Sequence, residues 1–419
     1  MKFLSYFPAL MPTERSCPVD ASSAAQSVKK LPRRQLLKQA AATAAAPLLL
    51  GTGAAGAANT AVSSQGLQGC QMLPGARFYV AIDNKGLWPN LTKLPNGELA
   101  AVVYNHPSHG YDDNSDIELW ISQDAGISWK FRSKVSTHPE EPDAIRMNHS
   151  TGLNADGHLV TLVSGYHKGQ KRPYLKLQRC ISTDQGKTWD RHDMDLALVP
   201  HGDIFSLPDG TLASPVYKRL SVKPKRSCSA VIFSRDGGRT WGEEQALAED
   251  VNETFVLRRR NGEWLAVCRT DCRDMLDRAL PHGSGEIFIR STDAGKTWSE
   301  PRLMAPQGQE NAHLLELADG RLLCSITSRI PGLFGVVMRI SENGGEKWSI
   351  PVVLLSSPAR DWHKTDSGYP SSVQLDDGSI VTAYYFGPKK PEYAAHALPW
   401  HQRYHMGIAK WDLSMWPED

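Results

Sequence analysis

Two short patterns recur along the chain, and they constrain the fold more than any other feature. The pattern S-x-D-x-G-x-x-W occurs four times, with a fifth, degenerate copy; the copies begin at Ser122, Ser182, Ser234, Ser291 and Ser341. A second pattern places Asp-Gly or Asn-Gly between two apolar segments six times, with glycines at Gly97, Gly157, Gly210, Gly262, Gly320 and Gly378. Self-similarity at a nearly fixed period is the signature of repeat folds. The chain is therefore interpreted as six repeats.

Each repeat reads as short apolar segments with turn residues between them, and helical periodicity is rare. Four antiparallel strands in each of six repeats predict an all-β fold, a six-bladed β-propeller with four-stranded antiparallel blades. The S-x-D-x-G-x-x-W segment suits a structural turn, because Asp accepts backbone N–H bonds, Gly adopts positive φ and Trp packs between blades. The sixth repeat lacks this turn. Its missing strand is predicted at residues 76–82, paired with residues 405–411.

The first 57 residues are predicted to be a twin-arginine signal peptide. Arg33-Arg34 precedes a short apolar run and then small residues, with cleavage expected near Ala57 or Ala58. Residues 58–75 are interpreted as a linker and residues 76–419 as the propeller. The expected location is the periplasm or the exterior, reached through the twin-arginine route, with no membrane attachment after signal removal.

Charge argues against a nucleic-acid partner. The whole chain has a net charge of +2, but residues 1–57 contain seven Lys or Arg and two acidic residues. Their removal leaves a mildly acidic protein, and nucleic-acid binding proteins are typically basic. No cofactor or metal is expected. Although His149, His201 and His313 occupy similar positions in three repeats, substrate-binding rim histidines are favoured over a metal site.

The repeat also predicts which residues share one end of the propeller. The first strand of each blade begins, and the second strand ends, at the same face. This face collects polar residues, among them Trp88, Asn148, His149, His201, Glu253, Arg269, Glu310, Asn311, Arg329 and Tyr369. The loop before the third strand of the first blade adds Asp112, Asp113 and Asp116. A concave mouth of this composition favours acid–base chemistry on a polar small substrate, although a solvated channel could have the same lining.

At these positions the sequence resembles the bacterial exo-sialidases, six-bladed propellers with the same Asp-containing turn. The segment from Glu253 to Arg269 resembles the family's Glu and the Arg 16 residues after it, and Arg329 matches the next Arg. Ser367-Gly368-Tyr369 resembles the surroundings of the catalytic Tyr, and counting 12 residues back from Asp124 reaches Asp112, the expected acid/base. The resemblance covers nearly the whole chain after the leader.

The resemblance implies a retaining exo-glycosidase that cleaves a terminal sialic acid or related acidic sugar of a glycan. Tyr369 is expected to be the nucleophile, Glu253 its base and Asp112 the acid/base. Arg269 and Arg329 are expected to bind the sugar carboxylate, with His149, His201 and Asn311 as further substrate-binding residues. Tyr is the known exception among glycosidase nucleophiles, and a neutral phenol is not repelled by a carboxylate on the anomeric carbon.

One position departs from the family pattern. The first of three arginines that bind the carboxylate is replaced by Leu87. Losing one charge-assisted, bidentate contact costs about 1.5–3 kcal/mol of binding. Three alternatives therefore stay open: a propeller glycosidase acting on another sugar, a uronate polysaccharide lyase, and a non-catalytic carbohydrate-binding propeller. The sequence does not indicate the oligomeric state.

Overall fold

The computed structural model describes residues 71–417, apart from 139–140, 171–173, 222–225, 272–283, 307 and 358. The predicted signal peptide and most of the predicted linker lie outside the described residues. Within those residues the chain forms six sheets, arranged as the blades of a propeller. The prediction of an all-β, six-bladed β-propeller with four-stranded antiparallel blades is confirmed.

The two N-terminal strands, β1 (Gln71–Met72) and β2 (Arg77–Asp83), belong to the last two blades. The first two blades follow each other along the chain. Blade 1 contains β3 (Leu87–Lys93), β4 (Leu99–Tyr104), β5 (Ile117–Ser122) and β6 (Lys130–Lys134). Blade 2 contains β7 (Ala144–Leu153), β8 (Leu159–His167), β9 (Gln178–Ser182) and β10 (Asp190–Asp193).

In blade 3 the first strand is divided. This blade contains β11 (Val199–Pro200), β12 (Phe205–Ser206), β13 (Leu212–Ser221), β14 (Arg226–Ser234) and β15 (Gly242–Glu249). Both short pieces pair with β13, so together they replace the single first strand of the other blades.

The remaining blades resume the regular pattern. Blade 4 contains β16 (Val251–Arg258), β17 (Trp264–Thr270), β18 (Gly285–Ser291) and β19 (Arg302–Ala305). Blade 5 contains β20 (Gln309–Glu316), β21 (Leu322–Ile330), β22 (Leu333–Ser341) and β23 (Val352–Ser357). Blade 6 contains β24 (Thr365–Gln374), β25 (Ile380–Pro388) and β26 (His405–Trp411). Two 3₁₀ helices, Pro391–His396 and Leu413–Met415, flank β26.

The N-terminal segment completes the last two blades. Strand β2 pairs antiparallel with β26, with Arg77 opposite Lys410 and Asp83 opposite His405. This confirms the sequence-based prediction of ring closure. Strand β1, which falls in the predicted linker, adds a short parallel pairing to β23 of blade 5.

The apolar core is divided among the blade interfaces. The buried apolar side chains form six clusters, each drawn mainly from two neighbouring blades. Trp129, for example, lies in one cluster with Val381 and Ile408, which joins blade 1 to blade 6. The described residues contain no helix long and apolar enough to span a bilayer.

The S-x-D-x-G-x-x-W turns are structural, as the pattern predicts. In the first copy, Asp124 accepts hydrogen bonds from the backbone and hydroxyl of Ser128, while Trp129 Nε1 donates to the Gly126 carbonyl. A Cβ on Gly186, at the same place in the second copy, would meet Leu119 of blade 1 at 1.9 Å. The glycine is therefore required by close packing between blades as well as by its φ of 81°.

Candidate active site at the propeller mouth

The first strand of each blade lies nearest the propeller axis and is irregular at its mouth end. The pairing with the second strand skips one residue in β7, β16 and β20 and two residues in β3 and β24. A β-bulge of this kind bends the strand and redirects one side chain. In blade 3 the same place is the gap between β11 and β12. Each repeat thus presents one redirected position at the mouth.

Six different residues occupy these equivalent positions. In chain order they are Trp88, Met147, Gly202, Glu253, Asn311 and Tyr369. Among the five that are not glycine, all but Met147 have left-handed backbones, with φ between 32° and 55°. Non-glycine residues seldom adopt this conformation, and such strain concentrates at functional sites. The mouth is therefore where the repeats differ from each other and where the backbone is held in costly conformations.

Tyr369 and Glu253 form the centre of the site. The Tyr369 hydroxyl donates to Glu253 Oε1 at 3.0 Å. The second oxygen, Oε2, accepts hydrogen bonds from Asn311 Nδ2 and Arg269 Nη1, both at 2.5 Å. Glu253 retains 17% exposure of its side chain, so the pair faces the mouth. Four of the residues selected from the sequence, in blades 4, 5 and 6, are joined in one contact network.

A buried carboxylate joins the two arginines. Glu310 has no exposed side-chain surface, and its oxygens lie 2.5 Å from Arg329 Nη1 and 3.3 Å from Arg269 Nη2. Ser284 Oγ also accepts from Arg269. Because an unpaired buried charge is costly, Glu310 and the guanidiniums hold each other in place. Both arginines keep a small exposed fraction, 16% and 13%, through which a ligand could reach them.

A second buried carboxylate, Asp366, lies next to Arg329. Its Oδ1 accepts from Tyr385 at 3.0 Å and is 3.4 Å from Arg329 Nη2. Its Oδ2 accepts from Tyr404 at 2.7 Å and lies 2.6 Å from His109 Nε2. The carboxylate is 3% exposed and nearly saturated with donors.

These contacts set the protonation of the central pair. Burial alone would raise the pKa of Glu253, but the charges of Arg269 and His201 and the hydrogen bonds from Arg269 and Asn311 lower it to about 2. Burial and the negative charge of Glu253 raise the pKa of Tyr369 well above 10. The free site therefore holds a neutral phenol hydrogen-bonded to a carboxylate at neutral pH.

The first strands also line a pocket of about 50 Å³ at this site, with Trp88, Asn311 and Tyr369 among its walls. It has room for a few water molecules. His149, His201 and His313 all line it. Nowhere in the described part of the chain do three or more His, Cys, Asp or Glu side chains form a group that could hold a metal ion.

The two predicted substrate-binding histidines have different surroundings. The His201 ring lies edge-on to Tyr369, with centroids 6.0 Å apart. His149 is 7% exposed, and its ring nitrogens lie 3.1 Å from the Val102 carbonyl and 3.3 Å from the Met147 carbonyl. Burial lowers the pKa of His149 to about 4, so it is neutral at pH 7. Both histidines line the pocket that contains Tyr369, but His201 contacts the Tyr369 ring, whereas His149 is held by backbone carbonyls in the packing between blades 1 and 2.

Asp112 lies apart from the network. Its side chain is exposed, and its Oδ1 accepts from the Asn114 backbone at 2.8 Å and from the Ser115 hydroxyl at 3.2 Å. Among the described residues, no contact joins Asp112 to Tyr369 or Glu253. Its acid/base role stays a prediction.

Leu87 is fully buried, and its surroundings are apolar. It packs in the cluster that also contains Tyr104, Tyr385 and Tyr404. The place of the family's first arginine is therefore part of the core, and no other arginine among the described residues contacts this network.

Two residues of the network were not selected from the sequence. Asp366 stands three residues before Tyr369, at the start of β24, and an acidic residue at a first-strand start is a signal that could have found it. His109 lies in the loop between β4 and β5, and nothing in its sequence surroundings distinguishes it. Its place in the site depends on the path of that loop.

Comparison with known proteins identifies the family. A family model described as BNR repeat-like domain matches residues 97–382, more than half of the chain. The chain belongs to this family. The BNR repeat-like chain is similar to a sialidase of Bacteroides fragilis, with 25% identity over 48% of this chain and 38% of the relative. It is also similar to a sialidase of Micromonospora viridifaciens, with 24% identity over 85% of this chain and 59% of the relative.

The match covers less than two thirds of each of these curated relatives. Among solved structures, an unknown-function protein from Dyadobacter fermentans has a TM-score of 0.64 and 21% identity, covering 80% of this chain and 99% of its own. The Hadza microbial sialidase Hz136 has a TM-score of 0.59 and 16% identity, with coverages of 79% and 66%. A Penicillium chrysogenum alpha-L-arabinanase has a TM-score of 0.56 and 13% identity, with coverages of 81% and 99%. These structural likenesses show the fold.

Together, the family match and the sialidase relatives confirm that this BNR repeat-like protein is a divergent member of the sialidase superfamily. They support a glycosidase-like function at the level of the family.

Proposed function

We propose that this protein is a retaining exo-glycosidase that releases a terminal sialic acid or a related acidic sugar from a glycan. The observation that carries the proposal is the 3.0 Å hydrogen bond from Tyr369 to Glu253 at the propeller mouth, next to Arg269 and Arg329. A nucleophile and its base within hydrogen-bond reach, with the base oriented by further groups, is the arrangement that covalent catalysis needs.

The first chemical step uses this pair. Tyr369 attacks the anomeric carbon as its proton moves to Glu253, and the bond to the leaving oxygen breaks. A glycosyl–tyrosine intermediate results, and hydrolysis of that intermediate gives net retention. Because burial and the charge of Glu253 raise the pKa of free Tyr369 well above 10, we expect proton transfer to accompany attack.

Substrate binding would strengthen the base. In the free protein Arg269 pairs with Glu253 and Glu310. A sugar carboxylate bound at Arg269 brings a second negative charge close to Glu253. Like charges raise a carboxylate pKa, so Glu253 becomes a better acceptor of the Tyr369 proton when substrate is bound.

One observation favours a second candidate, a retaining glycosidase for a neutral sugar. The two arginines are matched by three carboxylates, Glu253, Glu310 and Asp366, and the place of a third arginine holds the buried Leu87. Among the described residues of the mouth, positive charge is therefore not in excess, and such a balance gives a substrate carboxylate less binding energy. The Tyr369–Glu253 pair would work in the same way on a neutral sugar.

The deciding experiment is a panel of aryl glycosides that contains a sialoside, related nonulosonates, uronides and neutral pentosides and hexosides. Wild-type protein and Tyr369→Phe are compared, with Tyr111→Phe, an exposed tyrosine, as the matched control. We expect release of the phenol by wild type and Tyr111→Phe from one acidic sugar, with Tyr369→Phe near background. Proton NMR of the first-formed anomer should show retention.

Each alternative has its own result in this panel. Release from a neutral glycoside alone supports the second candidate. An unsaturated product that absorbs in the ultraviolet, formed from a uronate polysaccharide, indicates a lyase. Sugar binding with no turnover by wild type indicates a carbohydrate-binding propeller. If Tyr369→Phe is as active as wild type, the proposed mechanism is wrong.

The proposed location is the periplasm or the exterior of the cell, reached through the twin-arginine route. Support comes from Arg33-Arg34 and the residues that follow it in the sequence. Replacing both arginines with lysine should retain the uncleaved chain in the cytoplasm, as measured by cell fractionation and immunoblotting. Unchanged export of the double variant would contradict the route.

A further inference from the structure

The mouth contains a histidine that the proposed chemistry does not yet use. His109 lies on the loop between β4 and β5, and half of its side chain is exposed. Its Nε2 is 2.6 Å from Oδ2 of Asp366, which is almost fully buried. An exposed imidazole held by a buried carboxylate is the arrangement that orients a histidine for proton transfer.

Asp366 is well suited to hold the imidazole. Burial would raise its pKa, but His109, Arg329 and Tyr404 together lower it well below the usual range, so it is a carboxylate. Tyr385 and Tyr404 donate to it from the side of the core. An ionised carboxylate only accepts hydrogen bonds, so His109 Nε2 carries a proton and donates it. The other ring nitrogen, Nδ1, is left to exchange a proton at the exposed side of the ring.

His109 and Tyr369 lie on the same part of the rim. Both rings contact Trp88 edge-on, with centroid distances of 5.1 Å for His109 and 6.1 Å for Tyr369. Both also lie beside Tyr385, at 6.4 Å and 5.8 Å respectively. His109 and Tyr369 therefore share two aromatic neighbours, Trp88 and Tyr385, at this part of the mouth.

Asp112, three residues farther along the same loop, is placed differently. Its carboxylate is exposed and caps its own turn through Asn114 and Ser115. No buried group orients it toward the mouth among the described residues. Within the described part of this loop, His109 is the titratable group that contacts the aromatic neighbours of Tyr369 and is held by a buried carboxylate.

We infer that His109 is the acid/base catalyst of the proposed glycosidase and that Asp366 is its positioning residue. The inference rests on the proposed function. In the first step the protonated imidazole gives its Nδ1 proton to the leaving oxygen as the glycosidic C–O bond breaks. Tyr369 Oη forms the new bond to the anomeric carbon, and its own proton passes to Glu253.

The second step restores both groups. Water attacks the anomeric carbon and gives a proton to the now neutral His109. The bond between the sugar and Tyr369 breaks, and the phenolate recovers its proton from Glu253. The sum of the two steps is hydrolysis, with no co-reactant other than water.

The test uses a series of aryl glycosides of the sugar that wild type cleaves, with leaving phenols that range from strongly acidic nitrophenols to phenol itself. Strongly acidic phenols depart without protonation, whereas phenol requires an acid. His109→Gln should lose 10²- to 10⁴-fold in kcat/KM with the phenyl glycoside, the range typical of general acid–base catalysis. With the dinitrophenyl glycoside it should stay within about tenfold of wild type in kcat/KM.

A second measurement examines hydrolysis of the intermediate. With a good leaving group, His109→Gln lacks the base for water, so glycosyl–Tyr369 should accumulate and appear in the intact mass. Azide needs no general base and should restore turnover, giving a glycosyl azide. The matched controls are Asp112→Asn and His106→Gln, a histidine of the same loop that contacts Ser108. Both should follow the wild-type dependence on leaving group.

The outcomes separate this inference from the proposed function. If Asp112→Asn shows the steep leaving-group dependence and azide rescue while His109→Gln behaves as wild type, the inference is overturned and the Tyr369 mechanism stands. If His109→Gln loses all substrates equally, its role is structural and the inference is also overturned. If Tyr369→Phe retains wild-type activity, the proposed function itself fails.

Discussion

The two faces of the propeller are built from the same repeats but treat them differently. On the turn face, the Asp of each S-x-D-x-G-x-x-W segment accepts a hydrogen bond from the backbone four residues later, as Asp124 and Asp184 illustrate. On the mouth face, equivalent bulge positions hold residues as different as Trp88, Glu253 and Tyr369. The comparison teaches that uniform positions in the repeat stabilise the ring and that divergent positions carry the chemistry.

The largest effect on activity is expected at the mouth. Glu253→Gln removes the proton acceptor of Tyr369, and kcat should fall by 10²- to 10⁴-fold. Changes in the midpoint of thermal unfolding should be small, because the amide can still accept from Asn311 and Arg269. The measurement is steady-state kinetics on the best aryl glycoside, with Glu249→Gln as the exposed control. Full activity in Glu253→Gln would contradict the conclusion that the divergent mouth positions carry the chemistry.

On the turn face, a substitution should reduce stability and leave activity unchanged. Trp241 is 8% exposed and packs in the cluster between blades 2 and 3. Trp241→Ala should lower the free energy of unfolding by about 3–5 kcal/mol, with kcat per folded molecule unchanged. Chemical denaturation and active-site titration measure the two quantities. Trp400→Ala, at a site with 47% exposure, should cost less than about 1 kcal/mol. A loss of kcat without a loss of stability in Trp241→Ala would contradict the assignment of stability to the turn face and catalysis to the mouth.

The sequence predicted the turn face fully and the mouth only in part, and the reason is how far each depends on distant contacts. The turns are local, since Asp, Gly and Trp within eight residues make the hydrogen bonds. Tyr369, Glu253, Arg269 and Asn311 were found because strand ends fix their positions. The Asp366–His109 pair depends on the path of a loop, and counting residues along that loop selected Asp112. Strand β1 has two residues and gives no periodic signal.

Acid should weaken the folded state through two buried histidines. Burial lowers the pKa of His149 and of His405 from 6.5 to about 4. The unfolded chain therefore binds more protons between pH 6.5 and 4, and stability falls as pH decreases through this window. Each histidine contributes at most on the order of 3 kcal/mol.

Urea unfolding at pH 7 and pH 4.5 measures this loss. His149→Gln should reduce the difference between the two pH values, whereas His192→Gln, at an exposed position, should not. Equal pH dependence in both variants would show that His149 is not buried in its neutral form. The result also sharpens the distinction between His149 in the packing and His201 at the site.

The smallest effect is expected within a single turn. Asp293 accepts from the Thr297 backbone at 2.9 Å and from its hydroxyl at 2.6 Å. Asp293→Asn keeps the first bond and replaces the second, charge-assisted bond with a neutral one from the amide to the hydroxyl, at a cost of about 1 kcal/mol in unfolding free energy. The degenerate copy already has Asn343 in this place, so Asn343→Asp should be nearly neutral. Thermal denaturation of both variants compares them, and a cost above that of Trp241→Ala would overturn this ranking.

Closure of the ring has a consequence for how the chain folds. Blade 6 is finished only when β2, from the start of the domain, pairs with β26, from its end. Contacts so far apart along the chain form slowly. Until they form, β26 has an open strand edge that can pair with another molecule. During synthesis the last blade cannot be completed before its final strand has been made. We therefore expect aggregation through this edge during the interval, until pairing with β2 covers it.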